Sequence, residues 1–287
     1  MDQPLAPGLY LVATPIGNLE DITLRALRVL GSVDRIACED TRQTQKLLNH
    51  FDLHTPTVSY HMHNEAPRTE ELIEQLKQGA RIAVVSDAGT PGIADPGSQI
   101  AAAAIDAGIP VFPIPGANAA ISALIASGLS TENFNFRGFL PAKEGQRRTA
   151  LEELSRTGET HIFYEAPHRI LDTLADMEAV FGPGQPIVLA RELTKLHEEF
   201  LRGPVSELRK QLSSRAAIRG EFVLLFAPAA SVAKNSSQAR GISAEVAALM
   251  QAENLSEKDA LKRIARERGI GKSEAYRELQ REQKRKR

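Results

Sequence analysis

Between Gly8 and Ile114 short apolar runs alternate with amphipathic stretches, and no other feature of the chain restricts its fold so strongly. Gly8 to Ala13, Arg35 to Cys38, Thr57 to Tyr60, Arg81 to Ser86 and Pro110 to Ile114 read as strands. Ile82-Ala83-Val84-Val85 is apolar without interruption, as a strand buried on both faces of a parallel sheet must be. Helical patterns lie between the runs. Glu70 to Gln78 sets Leu72, Ile73 and Leu76 on one side, and Gly79 ends it. This alternation predicts an open, mostly parallel α/β sheet with helices on both faces.

A linker at Ser127 to Asn133 leads to a second α/β set, whose strand order the sequence does not specify. Its strands are Phe134 to Phe139, His161 to Tyr164, Ile187 to Ala190, Glu199 to Arg202 and Glu221 to Phe226. Pro167 to Phe181 reads as a helix with the proline in its first turn and a stripe of Ile170, Leu174, Met177 and Phe181. Ala229 to Arg240 has no period and reads as a linker. Beyond it, Ser256 and Asp259 form a capping arrangement ahead of Leu261, Ile264 and Ala265. After Gly269 and Gly271, Ser273 to Gln280 carries Ala275, Tyr276 and Leu279 on a second helix. This is a helix-turn-helix outline, which needs a partner surface or a third helix such as Ala244 to Ala252. The expected division is an α/β domain over 1–127, a second over 128–229, a linker over 230–243 and a helical domain over 244–287.

Charge is distributed unevenly. Asn254 to Arg287 holds 12 Lys/Arg against 6 Asp/Glu, a local +6, so with a net charge of −1 the rest carries −7. An acidic body with a basic tail suits an anionic partner engaged at one end, although a solvated helical tail has the same statistics. Cys38 is the sole cysteine, which excludes an intramolecular disulfide and suits a reducing compartment, so the cytoplasm is the expected location. Met1 to Pro7 does not read as a signal peptide. The longest apolar stretch, Ile114 to Ala126, is interrupted by Pro115 and Gly116 and falls short of the roughly 20 residues a membrane span needs.

The chain has no GxGxxG after its first strand, no P-loop, no GxSxG, no HExxH and no paired CxxC. Two other loops stand out. Asp87-Ala88-Gly89-Thr90-Pro91-Gly92-Ile93-Ala94-Asp95-Pro96-Gly97 follows the fourth strand, and Pro113-Ile114-Pro115-Gly116-Ala117-Asn118-Ala119 follows the fifth. Glycines let backbone approach a ligand and prolines stiffen the approach. Ligands of open α/β sheets sit outside the carboxyl ends of strands. Charged groups cluster at other strand ends: Glu39-Asp40-Thr41-Arg42, His61 with His63, Asn64 and Glu65, Tyr164-Glu165-Ala166-Pro167-His168-Arg169, and Arg191-Glu192-Leu193-Thr194-Lys195. Lys143, Arg147 and Arg148 add to them. His61 and His63 permit a metal, but no further cysteines or histidines complete a familiar set, and none is expected.

The strings Thr14-Pro15-Ile16-Gly17-Asn18-Leu19, Glu39-Asp40-Thr41-Arg42, Asp87-Ala88-Gly89-Thr90-Pro91 and Tyr164-Glu165 with Pro167-His168-Arg169 resemble the small-subunit rRNA 2′-O-methyltransferase I family. Ala190-Arg191-Glu192-Leu193-Thr194-Lys195 and Gly220-Glu221-Phe222-Val223 continue the resemblance, which runs from about Gly8 through the tail. It implies a tetrapyrrole-methylase-like architecture, with two α/β domains around a cofactor cleft and a small C-terminal helical domain. It also implies S-adenosylmethionine as methyl donor, a homodimer, and the ribose 2′-hydroxyl of a cytidine in the decoding region of 16S rRNA, in the small ribosomal subunit, as target.

By position, the resemblance puts Pro15, Ile16, Gly17, Asp87, Gly89, Thr90, Gly92, Ile93, Asn118 and Ala119 at the cofactor from the first domain. Tyr164, Ala190, Arg191 and Phe222 approach it from the second. Thr90 stands where porphyrin-type relatives carry the Asp of a GDP motif. Asn118-Ala119 replaces small hydroxylated residues, and Ala166 replaces Ser or Thr. Methyl transfer to a hydroxyl needs alignment and is helped by a base. Glu39, Asp40, Glu65 and Asp87 are the unranked candidates. Lys143, Arg147, Arg169, Lys195, Lys272 and Arg277 suit phosphate contacts. A tetrapyrrole methyltransferase and a non-enzymatic RNA-binding protein on the same fold are the alternatives.

Overall fold

The computed structural model describes residues 4–154, 158–228, 246–247, 249–250, 256–267, 275–277 and 279–280. The chain forms two compact units, residues 1–228 and 229–287. In the first unit β1 (Gly8–Val12), β2 (Arg35–Cys38), β3 (Thr57–Ser59), β4 (Arg81–Val85) and β5 (Val111–Ile114) make one parallel sheet, ordered β3-β2-β4-β1-β5. Leu9 pairs with Ile82 on one side and Val111 on the other. β4 lies between β2 and β1 with both faces covered, which explains its unbroken apolar run.

One face of this sheet packs on α1 (Leu24–Leu30) and α2 (Thr41–His50) through Val29, Leu30 and Leu48. The other packs on α3 (Glu65–Lys77) and α4 (Ser98–Asp106) through Leu72, Ile100 and Ala104. Helix α3 starts five residues before the expected Glu70, because Pro67 sits in the first turn, where its missing N–H is no loss.

The second sheet comprises β6 (Phe134–Phe139), β7 (Thr160–Glu165), β8 (Pro186–Arg191), β9 (Glu199–Pro204) and β10 (Phe222–Phe226), ordered β6-β7-β10-β8-β9. Only β6 and β7 run parallel; the other neighbours are antiparallel. α6 (Glu144–Leu154), α7 (Ile170–Phe181) and α8 (Val205–Ser213) cover one face through Leu151, Leu174, Met177, Leu208 and Leu212. The opposite face receives α5 (Ala119–Ser127), whose Ala120, Ala123 and Leu124 meet Ile162, Val188, Val223 and Leu225. The expected boundary at 127 therefore separates α5 from the sheet it packs against.

Helix α7 begins at Ile170, not Pro167, because Glu165 organises the preceding turn. Its buried carboxylate accepts from the Ala166 N–H at 2.9 Å and the Thr173 hydroxyl at 2.7 Å, and lies 3.2 Å from Arg169 Nε. In the second unit the Ser256 hydroxyl donates to Asp259 Oδ2 at 2.6 Å and accepts from the Asp259 N–H at 3.3 Å, so the expected cap forms ahead of α9 (Glu257–Glu267). Ala260, Leu261, Ile264 and Ala265 share a core with Val246, Ala275 and Leu279. Val246 and its helical neighbours supply the third segment that a helix-turn-helix outline lacks. Of the three residues named on the last helix, Ala275 and Leu279 are buried and Tyr276 is exposed.

Candidate active site

β4, β1 and β5 are adjacent, so their carboxyl ends deliver three loops to one place. Those loops are bonded together. Thr14 and Gly89 exchange backbone hydrogen bonds, Thr14 N–H to Gly89 O at 2.9 Å and Gly89 N–H to Thr14 O at 3.0 Å. The Thr90 hydroxyl donates to the Ala117 carbonyl at 3.2 Å and accepts from Asn118 Nδ2 at 3.2 Å. Asn118 Oδ1 accepts from the Ile121 N–H at 3.1 Å and so also caps α5. Thr90 and Asn118, two of the departures noted in the sequence, thus lock the second and third loops together.

A cleft of about 620 Å³ opens between these loops and the second sheet. That lies within the roughly 300–1,000 Å³ of small-molecule sites. Ile16, Asp87, Gly89, Thr90, Ile93, Asn118 and Ala119 line one wall, and Tyr164, Ala190, Leu193, Phe222 and Val223 the other. Sheet register explains the second wall. Val223 is paired with Tyr164 on one side and Ala190 on the other, so antiparallel β10 starts where β7 and β8 end. Phe222 borders the cleft although its ring belongs to the core on the sheet's other face.

Pro15, Gly17, Gly92 and Arg191 do not line the cleft. Gly17 meets Lys195 instead: it sits at φ +151°, and a Cβ there would clash with the Lys195 side chain, which packs over the turn. Gly92 closes its own loop, its N–H donating to the Pro96 carbonyl at 3.0 Å. The Arg191 guanidinium donates to the Arg219 carbonyl at 2.6 Å and to Glu199 at 3.4 Å.

Of the candidate bases, Glu39 and Asp87 reach the cleft. Asp40 does not. It caps α2 and holds Arg42 in a two-point ion pair, and that guanidinium lowers its carboxyl to about 2. Glu65 is likewise outside the cleft, accepting from the Tyr60 hydroxyl at 3.0 Å and the Gly97 N–H at 3.3 Å.

The cleft contains a carboxylate that sequence reasoning did not select, Asp95. Burial, then the neighbouring charge of Glu39 and that of Asp87, push its carboxyl up to about 6, against a Ser86 hydrogen bond that lowers it. Burial and Asp87 raise Glu39 as well. The signal was present as one of two aspartates in the densest loop, but only the fold brings it beside Glu39. Among the described residues no group of three or more His, Cys, Asp or Glu is placed to hold a metal ion.

The proposed phosphate contacts divide. Arg147 is a correction: it is 5% exposed and pairs with Asp176 at 2.6 Å, while donating to the Ala142 carbonyl at 3.0 Å. Leaving one partner of such a buried pair alone costs about 3–5 kcal/mol, so this arginine is held by the fold. Arg169 is also turned inward, to the Leu140 carbonyl at 2.6 Å and to Glu165. Lys195 bonds Glu192 at 2.9 Å and Glu221 at 3.0 Å within the cleft wall. Lys143 and Arg277 are exposed, and Lys272 lies outside the described residues.

Comparison with known proteins adds to this geometry. The sequence profile of the tetrapyrrole (corrin/porphyrin) methylases matches residues 8–209. A protein of Halalkalibacterium halodurans named ribosomal RNA small subunit methyltransferase I is 49% identical over 276 residues, 93% of each chain. One of the same name from Synechocystis is 46% identical over 93% of this chain and 95% of its own. Among solved structures, a uroporphyrin-III C-methyltransferase of Thermus thermophilus aligns with a TM-score of 0.53 at 22% identity, covering 80% of this chain and 98% of that one. Another from the same organism, complexed with S-adenyl homocysteine, aligns with a TM-score of 0.52 at 18% identity, covering 76% and 96%. The chain therefore belongs to the ribosomal RNA small subunit methyltransferase I family, within the tetrapyrrole (corrin/porphyrin) methylases.

Proposed function

We propose that this chain transfers a methyl group from S-adenosylmethionine to the ribose 2′-hydroxyl of a cytidine in the decoding region of 16S rRNA. The observation that carries the reading is a cleft that joins apolar surface from Tyr164, Ala190 and Val223 to the neighbouring carboxylates Glu39, Asp87 and Asp95. These residues fit the donor. Tyr164, Ala190 and Val223 offer an apolar surface to the adenine, and the carboxylates offer negative charge to a sulfonium and an ammonium. Burial, and after it the crowding of negative charge, raises Glu39 and Asp95, and a bound cation relieves the crowding. An anionic tetrapyrrole would be repelled by the same cluster.

The bound donor supplies a methyl that is already electrophilic, so the protein's work is alignment and proton removal. Asp95, ionised near neutral pH, takes the 2′-hydroxyl proton while Glu39 and Asp87 keep the surroundings negative. Exposed Lys143 and Arg277 contact phosphates of the small subunit. The reading places the protein in the cytoplasm as a homodimer. Among the described residues no helix is long and apolar enough to cross a membrane.

Calorimetric titration with S-adenosylhomocysteine after chelator treatment tests the cofactor half of this reading. Binding without any divalent ion is expected. Absence of binding, or binding regained only when a metal is added back, overturns it.

A further inference from the structure

The charge of the cleft restricts how a nucleotide can enter it. Glu39, Asp87, Asp95, Glu165, Glu192 and Glu221 line it; Arg169 pairs with Glu165, and Lys195, the one lysine in the lining, bonds Glu192 and Glu221. A phosphate moving inward meets mainly negative charge, so the backbone of an RNA must stay at the mouth. What enters is a base and its ribose, and something uncharged must hold them.

At the mouth stands Phe139, which lines the cleft yet is 55% exposed. A large exposed aromatic side chain is held there by a specific backbone device. Phe136 pairs with Ile162 and Phe139 with Tyr164, so the strand spends three steps where its partner spends two. In a regular strand a three-residue spacing would turn Phe139 to the opposite face. The extra residue and Gly138, at a left-handed φ of 65°, return it to the face of Phe136 and Tyr164. No atom lies within 4 Å of a Cβ built on Gly138, so its glycine serves conformation and not space. Tyr164 braces the arrangement, its ring 4.9 Å from Phe136 and 5.9 Å from Phe139, both edge to face.

We propose that Phe139 is the platform on which the base of the target nucleotide stacks once it is turned out of the RNA, placing its ribose toward Asp95. The inference rests on the reading of this chain as an RNA methyltransferase. Stacking on an aromatic ring suits any base, so Phe139 supplies affinity and register, and the choice of nucleotide lies elsewhere.

The test uses the full chain and unmodified small ribosomal subunits from a strain lacking it. Co-sedimentation in the presence of S-adenosylhomocysteine gives subunit affinity, and calorimetry gives cofactor affinity. Phe139→Ala should weaken subunit binding about tenfold and raise KM for subunits to match, with melting temperature and cofactor affinity unchanged. Phe139→Tyr should restore binding, whereas Phe139→Leu, equally apolar but without a ring, should not. Normal subunit affinity in F139A, rescue by F139L, or a loss explained by lower cofactor affinity or melting temperature overturns the proposal. If the unaltered enzyme neither binds nor methylates subunits, the functional reading itself fails and the stacking role falls with it. If the unaltered enzyme works and F139A works equally well, only the stacking role fails.

Discussion

An Asp95→Asn enzyme should still bind S-adenosylhomocysteine, which has no sulfonium for this carboxylate to meet, and should methylate small subunits about 10²-fold more slowly or worse, the low end of what a positioned base contributes. The loss should fall on kcat, with KM for subunits little changed, because the amide keeps the shape and hydrogen-bonding reach of the carboxyl and loses its basicity. The pH dependence supplies an independent readout. Asp95 sits at about 6, raised by burial and by Glu39 and Asp87, with Tyr164 facing it from the second sheet. Below that pH the carboxyl is protonated and cannot accept a proton, so kcat of the unaltered enzyme should fall as pH drops through about 6. The substituted enzyme should lack that fall. A substituted enzyme with normal kcat, or with the same acid limb, assigns the proton transfer to Glu39 or Asp87.

Gly89→Val should be the most damaging single change in the wall of the cleft. Gly89 sits at φ +80°, where a β-branched residue is strained. Its backbone bonds Thr14 in both directions, and a Cβ would lie 3.3 Å from Ile16 Cγ2 and 3.7 Å from the Ala117 carbonyl. Relief requires the loop to move away from Thr14 or Ile16 to give way into the cleft. A left-handed non-glycine residue costs about 1–2 kcal/mol, and that strain alone is worth roughly a tenfold loss if bound cofactor must restore the native loop. The variant should remain folded, since both sheets and their cores lie elsewhere, and calorimetry should show S-adenosylhomocysteine affinity down tenfold or more. Unchanged affinity in a folded variant removes Gly89 from the site.

Much of this architecture was legible in the chain. The ten strands among the described residues fall within a residue or two of the segments read from the sequence, most legibly β4 and β10, whose runs are apolar and buried almost throughout. The loops that line the cleft were legible through glycine and proline at strand ends, and Ile16, Thr90, Asn118 and Tyr164 do meet at one cleft. What escaped was set by long-range contacts. Arg147 looks like a phosphate ligand until Asp176, on another helix, neutralises it inside the core. Gly17 looks like a ligand-approach glycine until Lys195, from the second sheet, is laid across it. Asp95 was visible only as one of two aspartates in its loop, because it is the adjacency of β2 and β4 that brings Glu39 beside it. Phe139 reads as an ordinary strand residue, since a bulge at Gly138 leaves almost no trace in the apolar pattern.

The proposed reaction leaves a methyl group on a ribose oxygen of the small-subunit RNA. Mapping 2′-O-methylation along 16S rRNA tests it directly, comparing a strain lacking the chain with the same strain supplied with the unaltered protein or with D95N. One cytidine in the decoding region should be unmethylated without the chain, regain its methyl with the unaltered protein, and stay largely unmethylated with D95N. A full set of ribose methyl groups in the strain lacking the chain, or a missing methyl on a base and not on a ribose, would contradict the account.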